Sequence, residues 1–362
     1  MVRSDADRTV YRRPYESRHR HRHEPREQVR RGGLLSRPPA RGSSSLVDPA
    51  LPDRLRTQVV GRRREVELVL AALLAGRHML LEGPPGTGKS TLLRGLARGA
   101  GLAFEFVEGN AELTPARLVG HHDPSRVMSE GYSADIFVDG PLAAAMREGA
   151  LLYVEEINRV PEETLNVLIT VMSEGELHVP RLGRLVAAEG FRLVAAMNPF
   201  DAVGTARIAS AIYDRTCRVR MDYQDAVDEA EIVRRNAADT VLDQAHLDRV
   251  VELVRRTRAH PDVRVGSSVR GAIDMVLVAA TLAQLRGTAP TEAEVSLDAA
   301  LTALSGRLRL HEGSSRTSED VVRELWQQVF TPPPEAGEGD PGEAPGPDRG
   351  PRPVRPAQAP GG

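Results

Sequence analysis

The chain is nearly without lysine: among 362 residues it has one, Lys89, and the rest of its 48 Lys+Arg total is arginine. A composition heavy in Arg, Ala, Gly and Pro suggests a GC-rich genome, which explains the missing lysines but not the one retained. Cysteine is also single. Cys217 alone excludes an intrachain disulfide framework and a cysteine-based zinc site, and fits a reducing, cytosolic setting. Aromatic residues make up 4% of the chain against 41% hydrophobic residues overall, so Ala, Leu and Val must fill the core. No apolar run approaches the ~20 residues that span a bilayer. The Arg-rich start has no apolar h-region behind it, so neither anchor nor signal peptide is expected. A net charge of -2 argues against a wholly basic nucleic-acid binder.

Both ends lack apolar periodicity. Residues 1–45 carry 12 arginines, and from Arg18 to His23 Arg and His alternate. Adjacent guanidinium charges would repel a metal ion, so a disordered, solvated basic arm is expected there, with room for an acidic partner. Residues 331–362 hold ten Pro and seven Gly, the composition of a disordered tail. Between these ends strands and helices alternate. "HMLLEG" (78–83), "AFEFVEG" (103–109), "ALLYVEE" (150–156) and "FRLVAAMNP" (191–199) read as strands, separated by helical stretches at 65–76, 89–101, 141–149 and 161–175. From Asp225 onward the strand signals stop and helices take over. The predicted fold class is α/β: an αβα sandwich on a parallel sheet over 46–224, a small all-α domain over 225–331, and disordered tails at 1–45 and 332–362.

"GPPGTGKS", residues 83–90, fits G-x-x-x-x-G-K-[ST] between a predicted strand and a predicted helix, the context that makes this motif credible. Gly83, Pro84, Pro85, Gly86, Thr87 and Gly88 form a loop whose backbone amides can face phosphate oxygens, next to the positive end of the helix that starts through Lys89, Ser90 and Thr91. Lys89 is expected to reach the β- and γ-phosphates, where its compact ammonium suits a crowded loop better than a planar guanidinium. Ser90 offers a hydroxyl to Mg²⁺. Downstream, "LLYVEE" reads as a buried strand whose C-terminal end presents two acids. Glu155 would hold Mg²⁺ through its water shell and Glu156 would polarise the attacking water. The strand "FRLVAAMNP" ends at Asn198, an amide placed to orient a water against a γ-phosphate.

With these three strands in order, residues 46–331 resemble the AAA+ ATPases, and within them the MoxR-type (dynein-related) branch. The resemblance is carried by "VVGRRREVELVLAAL" ahead of the loop, "VEEINR" after the acid strand, "LVAAMNP", "ASAIYDR" and "VGSSVRGAIDMV". It implies that Val60 and Gly61 lie by the adenine, that Asn198 is sensor 1 and that Arg270 is sensor 2. It implies that Arg215 acts as an arginine finger on a neighbouring subunit's nucleotide. Asn110 matches the position of a polar residue that restrains the catalytic Glu. The sequence departs from the family at Glu155, where Asp is usual. It departs also at "IASAIYDRT", which lacks the usual Pro-Glu-Ala lead and the Phe after the Arg, so Arg207 and Arg218 stay open as rivals to Arg215.

Residues 111–140 read as a polar, loop-like insert and 175–190 as a hairpin turned by Pro180 to Gly183. His121 and His122 read as exposed loop residues. The resemblance implies a ring, a homo-hexamer, that hydrolyses ATP with Mg²⁺ to remodel or mature a protein, with a von Willebrand A-type domain as a partner. Two readings stand beside it: a nucleotide-gated binding switch with little turnover, for which Glu155 is the motive, and a DNA-directed motor, for which the Arg-rich arm is the motive. The insert carries more acids than arginines, which argues against the last.

Overall fold

A computed structural model describes residues 50–199, 210–238, 240 and 242–331. The basic arm, the Pro/Gly-rich tail beyond 331 and Arg207 lie outside the described residues. The chain enters through helices α1 (Leu51–Gln58) and α2 (Arg63–Leu74), then strand β1 (His78–Glu82), helix α3 (Lys89–Ala100) and strand β2 (Phe104–Glu108). The first insert follows: α4 (Pro115–Val119), β3 (Gly120–His122), α5 (Pro124–Glu130) and β4 (Phe137–Asp139). Next come α6 (Pro141–Glu148), β5 (Leu151–Glu155), α7 (Glu162–Glu174), the hairpin of β6 (Glu176–Val179) and β7 (Gly183–Val186), β8 (Arg192–Met197), α8 (Ser210–Arg215) and β9 (Thr216–Arg220).

Five strands form one parallel sheet in the order β2-β5-β8-β1-β9. Because successive side chains point to opposite faces, each central strand feeds two cores. Met79, Leu81, Leu151, Tyr153, Val194 and Ala196 pack on one side with Leu92, Leu93 and Leu96 of α3. Leu80, Leu152, Val154, Leu193 and Ala195 pack on the other with Leu142 and Met146 of α6 and Leu165 and Leu168 of α7. This double burial explains the near-continuous apolar runs of these strands. The all-parallel pairing places all five C-terminal ends, and the loops after them, at one edge.

Beyond the sheet the chain is helical: α9 (Ala226–Asn236), α10 (Gln244–Ala259), α11 (Val269–Arg286), α12 (Ala293–Leu304) and α13 (Ser318–Phe330). They share a separate core in which small residues, Ala272, Ala279 and Ala283 of α11 with Ala299, Ala300 and Ala303 of α12, let helix axes approach closely. Helix α13 opens with a capping box between Thr317 and Asp320, which satisfies two otherwise orphaned amides.

Three features differ from the sequence reading. The insert 111–140 is built rather than loop-like. Thr114 and Asp123 cap the two short helices, each followed by a proline at the first helical turn; Leu118 and Val119 join the core under the sheet, and Ile136 is buried. The helical part also contains strands, β10 (Val263–Val265) paired antiparallel with β11 (Arg309–Leu310). Three and two residues are too short to show an alternation. Strand β9, at the sheet edge, buries only Val219 and so carries no apolar run. The hairpin expected after residue 175 is present as β6 and β7, with Val179 opposite Gly183 and Arg181 of the turn at φ 64°.

Candidate active site

At the sheet's C-terminal edge, the β1–α3 loop wraps the head of α3. Gly83 sits where any side chain would run into the Met221 carbonyl, and Gly86, at φ 77°, where one would run into the Ser268 hydroxyl. The loop is therefore pressed from two sides, by the segment leaving β9 and by the start of α11. Lys89 is 8% exposed, and its ammonium donates to the carbonyls of Gly83 at 2.8 Å and Pro84 at 2.9 Å. Burial lowers its pKa to about 8, with the nearby Arg270 and Arg62 pushing the same way and Glu155 and Glu156 opposing.

Leu151, Tyr153 and Glu155 share the face that looks at α3, so Glu155 meets the first turn of that helix. Ser90 Oγ donates to Glu155 Oε1 at 2.7 Å, so the extra methylene of Glu over Asp is accommodated and the carboxylate reaches the loop's hydroxyl. Glu156 takes left-handed backbone angles, φ 53°, at the strand's exit, and its carboxylate lies 3.1 Å from Arg159 Nη1.

A cleft of about 250 Å³ is lined by residues 85–91, Glu155, Glu156, Arg159, Ala196, Met197, Asn198 and Arg270. Beside it a cavity of about 410 Å³ is lined by Val60, Gln224, Ile232, Asn236, Val269 and Ile273 among others, and shares Gly86, Gly88, Thr91 and Arg270 with the cleft. The first is walled by the phosphate loop, the two acids and Asn198; the second mixes apolar Val60, Ile232, Val269 and Ile273 with polar Gln58, Gln224, Arg235 and Asn236. Gly61, at φ 68°, stands behind Val60, and a side chain there would collide with Asp228 of α9.

Most of the residues singled out in the sequence meet in these two spaces. Asn110 does not. Its amide is used in its own turn, donating to the Glu108 carbonyl at 3.3 Å and accepting from Glu112 N at 2.9 Å. Arg215 does not line the cleft; it donates to Ser173 of α7 and to the Ala211 carbonyl. Arg218 is paired with Glu82 at 3.3 Å. His121 and His122 lie on β3, and His122 packs edge-on to Tyr132 and Phe137.

Three contributors carried no assigned role in the sequence. Arg159 faces Glu156. Arg62, 4% exposed, donates to the Thr87 carbonyl in the loop and to the Asp222 carbonyl after β9, tying the loop to the chain that leads into the helices. Tyr153 interrupts an aliphatic strand two residues before Glu155, a spacing that puts it on the same face and so was readable.

A metal would be held by Ser90 and Glu155, oxygen donors that suit Mg²⁺, an ion that keeps several waters and takes phosphate oxygens. Among the described residues no group of three or more His, Cys, Asp or Glu could hold a metal by itself. No helix among them is long and apolar enough to cross a membrane.

The AAA domain of the dynein-related subfamily matches residues 78–216. The gas vesicle ATPase GvpN of Haloferax mediterranei is 31% identical over 246 residues, covering 62% of this chain and 70% of that one. The chain is an AAA+ ATPase of the MoxR type. The Bacillus subtilis protein YeaC, described as uncharacterized, is a further relative, 28% identical over 311 residues and covering 77% of this chain and 93% of its own. Among solved structures, the Thermotoga maritima RuvB Holliday junction branch migration motor aligns over 68% of this chain and 72% of its own at 17% identity and a TM-score of 0.45. For this AAA+ chain, membership of the family supports ATP binding at the phosphate loop and ATPase activity.

Proposed function

We propose that this AAA+ protein hydrolyses ATP with Mg²⁺ in a ring, a homo-hexamer, and uses the resulting motion to remodel or mature a protein assembly in the cytoplasm. What carries the reading is the convergence of Lys89, the Ser90–Glu155 pair, Glu156, Asn198 and Arg270 on one cleft. Residues 46–224 would bind the nucleotide and residues 225–331 would close over it. Bound between Ser90 and Glu155, Mg²⁺ would neutralise charge on the phosphates.

Each residue then has a task. The backbone of residues 83–88 and the head of α3 receive phosphate oxygens, and Lys89 exchanges its two loop carbonyls for them. Val60 and Gly61 border the base. Asn198 orients a water and Glu156 accepts its proton, after Arg159 yields part of the carboxylate. Arg270 meets the γ-phosphoryl charge from the helical part. Arg215, directed away from its own cleft, supplies the finger to the next subunit, where such a cation contributes electrostatic stabilisation of the transferring group.

The gas vesicle ATPase name of a relative favours maturation of a protein assembly as the output, and a von Willebrand A-domain protein is the partner class this family resemblance implies. A second reading, a nucleotide-gated switch with little turnover, is favoured by the Glu156–Arg159 ion pair, which occupies the carboxylate needed as base. Steady-state hydrolysis measured against protein concentration separates them. A ring with a finger in trans gives specific activity that rises with concentration and is lost in Arg215→Ala. Tight ATP binding with negligible turnover at every concentration supports the switch.

A further inference from the structure

Tyr153 lies at the centre of β5 and is fully buried, yet it carries a hydroxyl into a strand whose other members are aliphatic until the acids begin. Its ring is packed by Phe104 at 6.2 Å and Phe106 at 5.8 Å, and Arg94 of α3 covers Phe106 at 4.8 Å. This fixes the ring and aims the hydroxyl at the head of α3. There it lies 3.2 Å from Ser90 Oγ, which itself lies 2.7 Å from Glu155 Oε1.

The direction of these bonds follows from counting. A serine hydroxyl has one proton and two lone pairs. The shorter, charge-assisted bond to the Glu155 carboxylate takes the proton. Tyr153 must then be the donor to Ser90, filling one lone pair, and a single lone pair is left.

We propose that Tyr153 is a positioning residue for the metal site: by donating to Ser90 it leaves one lone pair of that hydroxyl for Mg²⁺ and fixes the direction in which it points. The proposal rests on the reading of Ser90 and Glu155 as the metal-holding pair. It explains how Glu can stand where a shorter acid is usual. The longer side chain has one more rotatable bond, and a hydroxyl held from its far side restores the order that the extra torsion loses.

The test is nucleotide affinity of the full-length chain, measured with and without Mg²⁺, for the wild type, Tyr153→Phe, Ser90→Ala and the double variant. Tyr153→Phe is expected to bind ATP as the wild type does in EDTA, and to need about fivefold more Mg²⁺ for half-maximal tightening, the worth of one ordinary hydrogen bond. In the Ser90→Ala background the same change is expected to have no further effect. Melting temperatures track folding, and Tyr153→Met, which fills the space without a hydroxyl, replaces Tyr153→Phe if that variant does not fold.

A wild type that tightens with Mg²⁺ alongside an unchanged Tyr153→Phe overturns the role of Tyr153 alone. So does an equal loss in EDTA and in Mg²⁺, or an undiminished loss in the Ser90→Ala background, since a merely structural hydroxyl behaves that way. A wild type whose affinity ignores Mg²⁺ overturns the metal reading and this proposal together.

Discussion

Lys89 and Glu229 are both buried charges, at 8% and 1% exposure, and the two halves of the molecule hold them differently. In the sheet half the ammonium of Lys89 is held by carbonyls five and six residues earlier in its own loop. In the helical half the carboxylate of Glu229 on α9 is clamped by Arg255 at 3.1 Å and Arg258 at 2.8 Å, both on α10, and Arg258 also stacks 3.8 Å over the Tyr223 ring and donates to the Ser267 carbonyl just before α11. The first charge sits in a local device, which a ligand can enter by replacing two backbone acceptors. The second ties together elements distant in sequence, from the segment after β9 to the start of the helix that carries Arg270. Lys89 thus sits within the cleft itself, whose lining the helical half completes with Arg270. Glu229 instead holds together the helices that frame it.

Variants sharpen that contrast. Glu156→Gln keeps the loop intact and removes only the base, so turnover should fall by about 10²- to 10⁴-fold while ATP affinity stays near the wild-type value, as read by single-turnover hydrolysis and equilibrium binding. Glu229→Ala leaves Arg255 and Arg258 facing each other across a buried gap. It should cost about 3 kcal/mol of stability in denaturant titrations, with little change in intrinsic affinity under native conditions. Arg270→Ala removes the helical half's one side chain shared by the cleft and the adjoining cavity among the described residues. Turnover should drop by about 10- to 100-fold and affinity by less than about tenfold. Equal losses in both would erase the division between the halves.

The smallest effect is a pH dependence. The Lys89 pKa, lowered first by burial to about 8, rises again when phosphate charge is beside it. Nucleotide thus favours the protonated lysine. Affinity should be flat below pH 8 and fall by up to about tenfold per unit above it, with proton uptake on binding near pH 8 visible as a buffer-dependent enthalpy. An affinity flat through pH 9.5 would place the lysine proton outside the binding step.

The same contrast governs how much the sequence revealed. The phosphate loop, the acid strand and the Asn198 strand were legible because each is a short contiguous signal: glycines at fixed offsets, a buried run, a polar end. The insert was misread as loop because Thr114 and Asp123, its caps, act over single turns that no periodicity marks. Strands β10 and β11 were too short to alternate. Arg62 could not be foreseen, since its partners at Thr87 and Asp222 are carbonyls, and carbonyls have no signature in a sequence. The clamp on Glu229 depends on how two helices pack, which side-chain identity alone does not dictate. Tyr153 is the exception: period two along the strand places it on the same face as Glu155.

The central claim is that one local device, the lysine and its loop, governs nucleotide binding for the whole chain. Equilibrium binding of ATP to Lys89→Ala, beside the wild type and at pH 7, tests it most directly. A loss of at least about 100-fold in affinity with an unchanged melting temperature is the predicted result, in line with removing a buried cation from a phosphate site. Near-normal affinity in a folded variant would contradict the account, because the rest of the cleft would then suffice without its only lysine.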